Sequence, residues 1–162
     1  MRRIAPVILA LGAALVAAGA CSSPSTSTTT TSSLGGEGVL LVNTAEGQAT
    51  LHVTIADTDA LRERGLMGRT DLPAETGMAF LWGDQPTTST FWMKDTLIPL
   101  SIAFWDASGR IVAIREMTPC TADPCPTYGA PVPYLGAAEA NAGWFQRQGV
   151  HVGDQIDLTR SG

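Results

Sequence analysis

Twelve consecutive residues, Ser22 to Ser33, are all Ser or Thr except for Pro24. Such a run has no apolar side chains to bury, so it cannot offset the entropy lost on folding. It divides the chain into a short leading segment and a C-terminal stretch of near 120 residues. That stretch is long enough for one hydrophobic core and too short for two. No internal repeat is visible.

The leading segment reads as a targeting signal. Arg2 and Arg3 form a positive start, Ile4 to Leu15 an apolar run, and Ala17-Ala18-Gly19-Ala20 a small-residue site directly before Cys21. The stretch Ile4 to Ala20 is rich in Ala and Gly, contains Pro6 and is at the short limit for a membrane span. Cleavage is therefore expected rather than a permanent helix. Ala18-Gly19-Ala20-Cys21 resembles a bacterial lipobox, with Ala18 where such boxes usually carry Leu. The expectation is a signal peptide over 1–20, a lipidated Cys21, a disordered tether over 21–37 and one domain over 38–162. A thioether-linked diacylglycerol supplies two acyl chains, enough for stable membrane anchoring. The protein is then exported and held at the outer face of the cytoplasmic membrane, or at another envelope membrane.

Without Arg2 and Arg3 the totals of 10 Lys+Arg and 15 Asp+Glu become 8 and 15, a formal net charge of −7. That balance opposes nucleic-acid binding, which depends on neutralising phosphates. If Cys21 carries lipid, Cys120 and Cys125 remain as an even pair in a compartment that permits disulfides. A disulfide is the first reading. Free or redox-active thiols come second, because Pro124 and Pro126 oppose the helix that lowers a thiol's pKa. A metal site comes last: two thiols are half a zinc set, and His52 and His151 are distant in sequence. No metal and no cofactor is expected, since there is no Gly-rich phosphate loop and no His-x-x-x-His pair.

Within the domain, Ala49, Leu51, Val53 and Ile55 alternate with Thr50, His52 and Thr54, the period of a half-buried strand. Val39 to Val42 is its expected partner across a turn at Glu46-Gly47. Further strands are expected at Met78 to Trp82, Thr90 to Lys94, Leu100 to Phe104, Arg110 to Glu116, Pro133 to Ala140 and Gln155 to Leu158. Thr58 predicts a capped helix ending at Arg64-Gly65, and Asn141 predicts another over Ala142 to Gln148. The pattern points to a mainly β fold, a compact sandwich or barrel with two short helices.

Several segments in order carry a family resemblance. They include Arg62-Glu63-Arg64-Gly65-Leu66-Met67-Gly68-Arg69, Gly77-Met78-Ala79-Phe80-Leu81, and Phe91-Trp92-Met93-Lys94-Asp95-Thr96 with Ile98-Pro99-Leu100. Gly109-Arg110-Ile111-Val112, Glu139-Ala140-Asn141-Ala142-Gly143 and Gly153-Asp154 follow. Together they resemble the family called domain of unknown function 192, in a variant carrying Pro119-Cys120, Cys125-Pro126 and Tyr128. The resemblance spans about residues 57–158. It implies a mainly β, jelly-roll-like fold and no particular activity. Asp95 stands where the family commonly has Asn, Ser101 where it often has Asp, and Tyr134 to Ala138 is less bulky than usual.

Two residues invite a site. Lys94 is the only lysine and shares a strand face with Trp92. Glu139 is the only acid between Ala130 and Ala140. The candidate ligand-binding set is Trp92, Lys94, Asp95, Thr96, Tyr128 and Glu139, because convergent polar groups over an apolar floor make a small-molecule site. The competing view is structural: Lys94 paired with Glu139, or Glu139 reaching back to a helix N-terminus near Asn141 or pairing with Arg64 or Arg69. Arg62, Arg64 and Arg69 read as a solvated helix face with one arginine tying the turn. Met67, Met78, Met93 and Met117 read as core filler. No Ser-His-Asp set can be assembled. The leading functional expectation is a non-catalytic domain that binds a small ligand or an envelope protein. An envelope hydrolase or isomerase using Glu139 and Lys94 is the rival, and a structural envelope component is the third reading.

Overall fold

A computed structural model describes residues 35–161. The expected signal peptide, the lipidation at Cys21 and the Ser/Thr tether to residue 34 lie outside the described residues. The fold is mainly β with two short helices, as the sequence predicts.

The first hairpin joins β1 (Glu37–Thr44) to β2 (Gly47–Ala56) in antiparallel register, Leu40 opposite Leu51 and Thr44 opposite Gly47. Its inward residues Leu40, Val42, Leu51, Val53 and Ile55 are buried, while Thr50 and His52 are exposed. The α1 helix (Asp59–Arg64) starts where the Thr58 side chain accepts from the Leu61 N–H. It ends at Gly65, whose φ of 46° suits a residue without a Cβ. It serves as the crossover into β3 (Thr76–Leu81), which pairs parallel to β2. The expected strand at Thr90 to Lys94 is shorter: only Phe91–Trp92, β4, forms a ladder. The chain then turns at Asp95, the one non-glycine among the described residues with positive φ, at 54°. Asp and Asn tolerate this left-handed conformation better than other non-glycine residues. That accounts for an Asp where the family resemblance expects Asn.

β5 (Leu100–Trp105) and β6 (Ile111–Met117) form a hairpin across the Asp106 to Gly109 turn. A short β7 (Thr127–Tyr128), not anticipated from the sequence, pairs with β4. β8 (Gly136–Asn141) runs between β5 and β3, and β9 (Gln155–Arg160) pairs with β1. The order β6-β5-β8-β3-β2-β1-β9 gives one curled seven-stranded sheet. Its two edge strands meet at their beginnings, where Arg110 bridges Gln155 and the Ile111 N–H donates to the Asp154 carbonyl. The result is a half-barrel beside the small β4–β7 sheet. Asn141 does not cap a helix. It ends β8, and its amide donates to the Leu72 and Pro73 carbonyls. α2 (Trp144–Arg147) instead begins after Gly143 in the left-handed region.

The central strands β5, β8 and β3 are covered on both faces, and two hydrophobic clusters result. One holds Leu40, Leu51, Ile55, Ala138, Ala140, Trp144 and Phe145. The other holds Met78, Phe80, Phe91, Ile102, Phe104, Tyr134 and Ala137. β8 has Gly or Ala at four of its six positions, and its neighbours come close. A Cβ on Gly136 would lie 2.3 Å from the Trp105 ring.

Candidate functional site

Glu139 lies in the middle of β8, with Met78 of β3 opposite on one side and Ile102 of β5 on the other. Strand alternation puts it on the same face as Ala137, the face of the second cluster. It is 4% exposed. Among the described residues no hydrogen bond or ion pair reaches its carboxyl, and loss of solvent alone pushes its pKa up to about 8. Among the described residues, no side-chain polar atom that is sealed from solvent lacks a partner. The free carboxyl oxygens of Glu139 therefore retain access to open space, and that space is a cavity.

The cavity measures about 320 Å³ and has Glu139 in its wall. α1 and the turn after it supply Arg62, Arg64, Leu66 and Met67. β3 and the residue after it supply Phe80 and Trp82. The segment entering and forming β4 supplies Ser89, Thr90, Phe91 and Trp92, and Thr96 completes it. The rings are held by one another: Phe80 meets Phe91 edge-to-face at 4.9 Å, and Trp82 meets Phe91 at 6.1 Å and Tyr134 at 5.4 Å. The Tyr134 hydroxyl donates to the Ser89 carbonyl at 2.7 Å, and its burial holds its pKa well above the usual phenol range. Arg62 is the arginine that ties the turn. Its guanidinium donates to the Leu81 carbonyl and to Asp59, both at 2.5 Å, and lies 5.4 Å from the centre of the Trp82 ring. Arg64 is exposed at the cavity and has no ion pair among the described residues. Two other hollows, of about 310 and 430 Å³, have no buried polar side chain in their walls.

Of the six residues expected to bind ligand, three line this cavity: Trp92, Thr96 and Glu139. Trp92 is 48% exposed and Thr96 is buried. The other three are used elsewhere. The Lys94 Nζ donates to Asp123 Oδ2 at 2.5 Å, which raises the lysine pKa, and the partner is neither Glu139 nor any cavity group. Asp123 sits inside the loop closed by the Cys120–Cys125 disulfide, whose Cα atoms are 5.8 Å apart. Lys94 and Thr96 both bridge to Cys120, and the Asp95 N–H donates to the Cys120 carbonyl at 2.9 Å. These residues fasten the disulfide loop to the strand that carries Trp92. The Tyr128 hydroxyl accepts from the Thr118 N–H at 3.2 Å and fixes β7.

Ser101, where the family resemblance expects Asp, does not leave its site without an acid. Its hydroxyl donates to the Glu116 carboxylate at 2.7 Å, from the facing residue of β6, and accepts the Gly143 N–H at 2.7 Å. Glu116 thus supplies the carboxylate from the next strand. Phe80, Trp82 and Tyr134 were not singled out by sequence, since apolar residues in strands read as core. Among the described residues no three His, Cys, Asp or Glu side chains converge as a metal set would.

Comparison with known proteins gives the same outline without an activity. A model of the DUF192 family, described as uncharacterised, matches residues 41–158. No curated protein matches the chain. A crystal structure of a protein of unknown function from Novosphingobium aromaticivorans is 33% identical, with a TM-score of 0.68, covering 74% of this chain and 83% of that one. A second, from Sinorhizobium meliloti, whose name proposes a transcription regulator, is 30% identical. Its TM-score is 0.68, covering 75% of this chain and 93% of that one.

Proposed function

This chain belongs to the DUF192 family, and from that premise we propose that its domain is a non-catalytic small-ligand-binding module carried outside the cytoplasm on a lipid anchor at Cys21. The observation that carries the binding reading is the buried Glu139 carboxyl, unpaired among the described residues, opening onto an aromatic cavity. Buried polar groups in folded proteins almost always have partners, so one left free at a cavity wall is a place kept for a ligand. Trp92, Thr96 and Glu139 touch the ligand. Lys94 and Asp95 fasten the disulfide loop to the segment after Trp92, and Tyr128 fixes β7. Export rests on the signal-like residues 1–20, and the disulfide fits an oxidising compartment. The Sinorhizobium relative's name suggests transcription regulation, and 8 basic against 15 acidic residues after Arg3 oppose any form of that role that works by binding nucleic acid.

Thermal-shift titration of the full chain against a collection of small metabolites tests the binding reading. A true ligand raises the melting temperature with concentration, and Trp92→Ala removes the rise while the variant still melts cooperatively. Hits that respond equally in the wild type and in both Trp92→Ala and Glu139→Gln would show that the cavity is not the site. The anchor is tested by mass spectrometry of the membrane-bound protein. An N-terminal Cys21 bearing diacylglycerol is expected, and an intact Met1 contradicts it.

The rival enzyme reading draws on the same acid. A carboxyl protonated near neutral pH is suited to donate a proton in general-acid catalysis. It predicts turnover that Glu139→Gln abolishes while binding survives. The binding reading predicts that binding itself is lost.

A further inference from the structure

We propose that the cavity takes an organic cation, an ammonium group on a compact apolar body, with Glu139 as its counter-charge and the surrounding rings as its cage. The inference rests on the cavity reading and names the ligand class for that same site.

Three observations lead to it. The aromatic walls are not stacked in parallel. Phe80 and Trp82 each stand nearly perpendicular to Phe91, with interplanar angles of 84° and 88°. Rings set at right angles turn their electron-rich faces along different directions, and such faces attract ammonium groups. The wall already carries one cation on one ring, the Arg62 guanidinium on Trp82. The single ionisable group buried in the cavity is a carboxyl that no described residue pairs, and once ionised it calls for a positive partner. An anionic ligand gains no charge pair at Glu139 and enters a domain with a net charge of −7. A neutral ligand would gain one hydrogen bond, worth about 1 kcal/mol. A cation gains a charge pair in a water-poor site, where such pairs are stronger.

The other charges near Glu139 are few. α1 contributes Asp59, Arg62, Glu63 and Arg64 to the cavity, with Arg62 bound to Asp59. The flanking strands place Met78 and Ile102 beside Glu139 and add no charge. Glu139 is protonated in the empty cavity at neutral pH, so a cation must displace its proton on binding. Affinity for a permanently charged ligand should therefore rise with pH up to about 8 and level off above it.

The test uses choline, its uncharged isostere 3,3-dimethylbutan-1-ol and the anion 3,3-dimethylbutanoate, measured by calorimetry on the full chain from pH 6 to 9. The expected result is binding of choline alone. Its affinity should grow up to about tenfold per pH unit below 8 and fall at least tenfold in Glu139→Gln and in Trp92→Ala. Glu139→Gln keeps the shape of the side chain, and its circular dichroism and cooperative melting check its fold. Preference for the alcohol or the anion, choline affinity that falls as pH rises, or choline affinity unchanged in Glu139→Gln would each overturn the cation inference. So would the absence of binding by all three probes. If the alcohol or the anion wins and still needs Trp92, the cavity reading survives and only the ligand class is wrong.

Discussion

Two buried polar residues on neighbouring central strands meet opposite fates. Ser101 on β5 is satisfied in every direction: it donates to Glu116 and accepts from Gly143, which locks the start of α2 to the sheet. On β8, one residue before the Ala140 that faces Ser101, the Glu139 carboxyl has no partner among the described residues. The surroundings differ in the same sense. The cluster under α2 is filled by Trp144 and Phe145, and the Trp144 indole N–H reaches Glu75 at 2.8 Å. The cluster under α1 leaves about 320 Å³ open. A saturated polar residue in a filled core does structural work, because removing its partners costs stability. An unsaturated one beside open space lowers stability, and the binding reading proposed above gives it a reason to persist.

The largest expected effect lies in the filled half. Trp144→Ala should lower unfolding free energy by about 3–5 kcal/mol in urea titration. A loss under 1 kcal/mol would mean that the α2 side is not the firm half. Next comes a gain. In the unfolded chain Glu139 titrates near 4.5, and in the fold near 8. The two states are equally protonated below pH 4.5, so stability is fully present there. It falls as pH rises from 4.5 toward 8 and then flattens. Glu139→Gln should remove that slope and stabilise the domain by on the order of 2–3 kcal/mol at pH 7. Urea titrations at pH 4, 6 and 8 read the sign, and a destabilised variant at pH 7 would reverse the comparison. Ser101→Ala should cost only about 1 kcal/mol, since Glu116 still accepts the Gly143 N–H at 3.2 Å. The smallest expected effect is at Lys94. Lys94→Ala should loosen the Asp123 loop, visible as faster amide exchange over residues 120–125, and leave ligand affinity unchanged. A lost affinity would bring Lys94 back into the site.

Much of this was legible in the sequence, and the illegible part has a pattern. The β1–β2 hairpin and α1 follow from period-two alternation and from the Thr58 and Gly65 caps, all local signals. Glu139 stood out as a lone acid in an apolar run. The partner of Lys94 did not, because Asp123 is 29 residues away and is delivered by a disulfide loop. β4 was read too long because the left-handed turn at Asp95 is a tertiary demand, set by hydrogen bonds to Cys120 and from Gly68. Asn141 looked like a cap because Asn commonly caps helices, yet the sheet claims it first. The aromatic walls were hidden in plain view: Phe80 and Trp82 belong to the same apolar run whether they face a filled core or a cavity.

The most direct measurement is a ¹³C NMR titration of the Glu139 side-chain carboxyl in the ligand-free protein. A midpoint near 8, with no nearby group titrating alongside it, is what an unpaired acid at a cavity wall predicts. A midpoint at or below 4.5 would reveal a partner or full solvation, and the site described here would not exist.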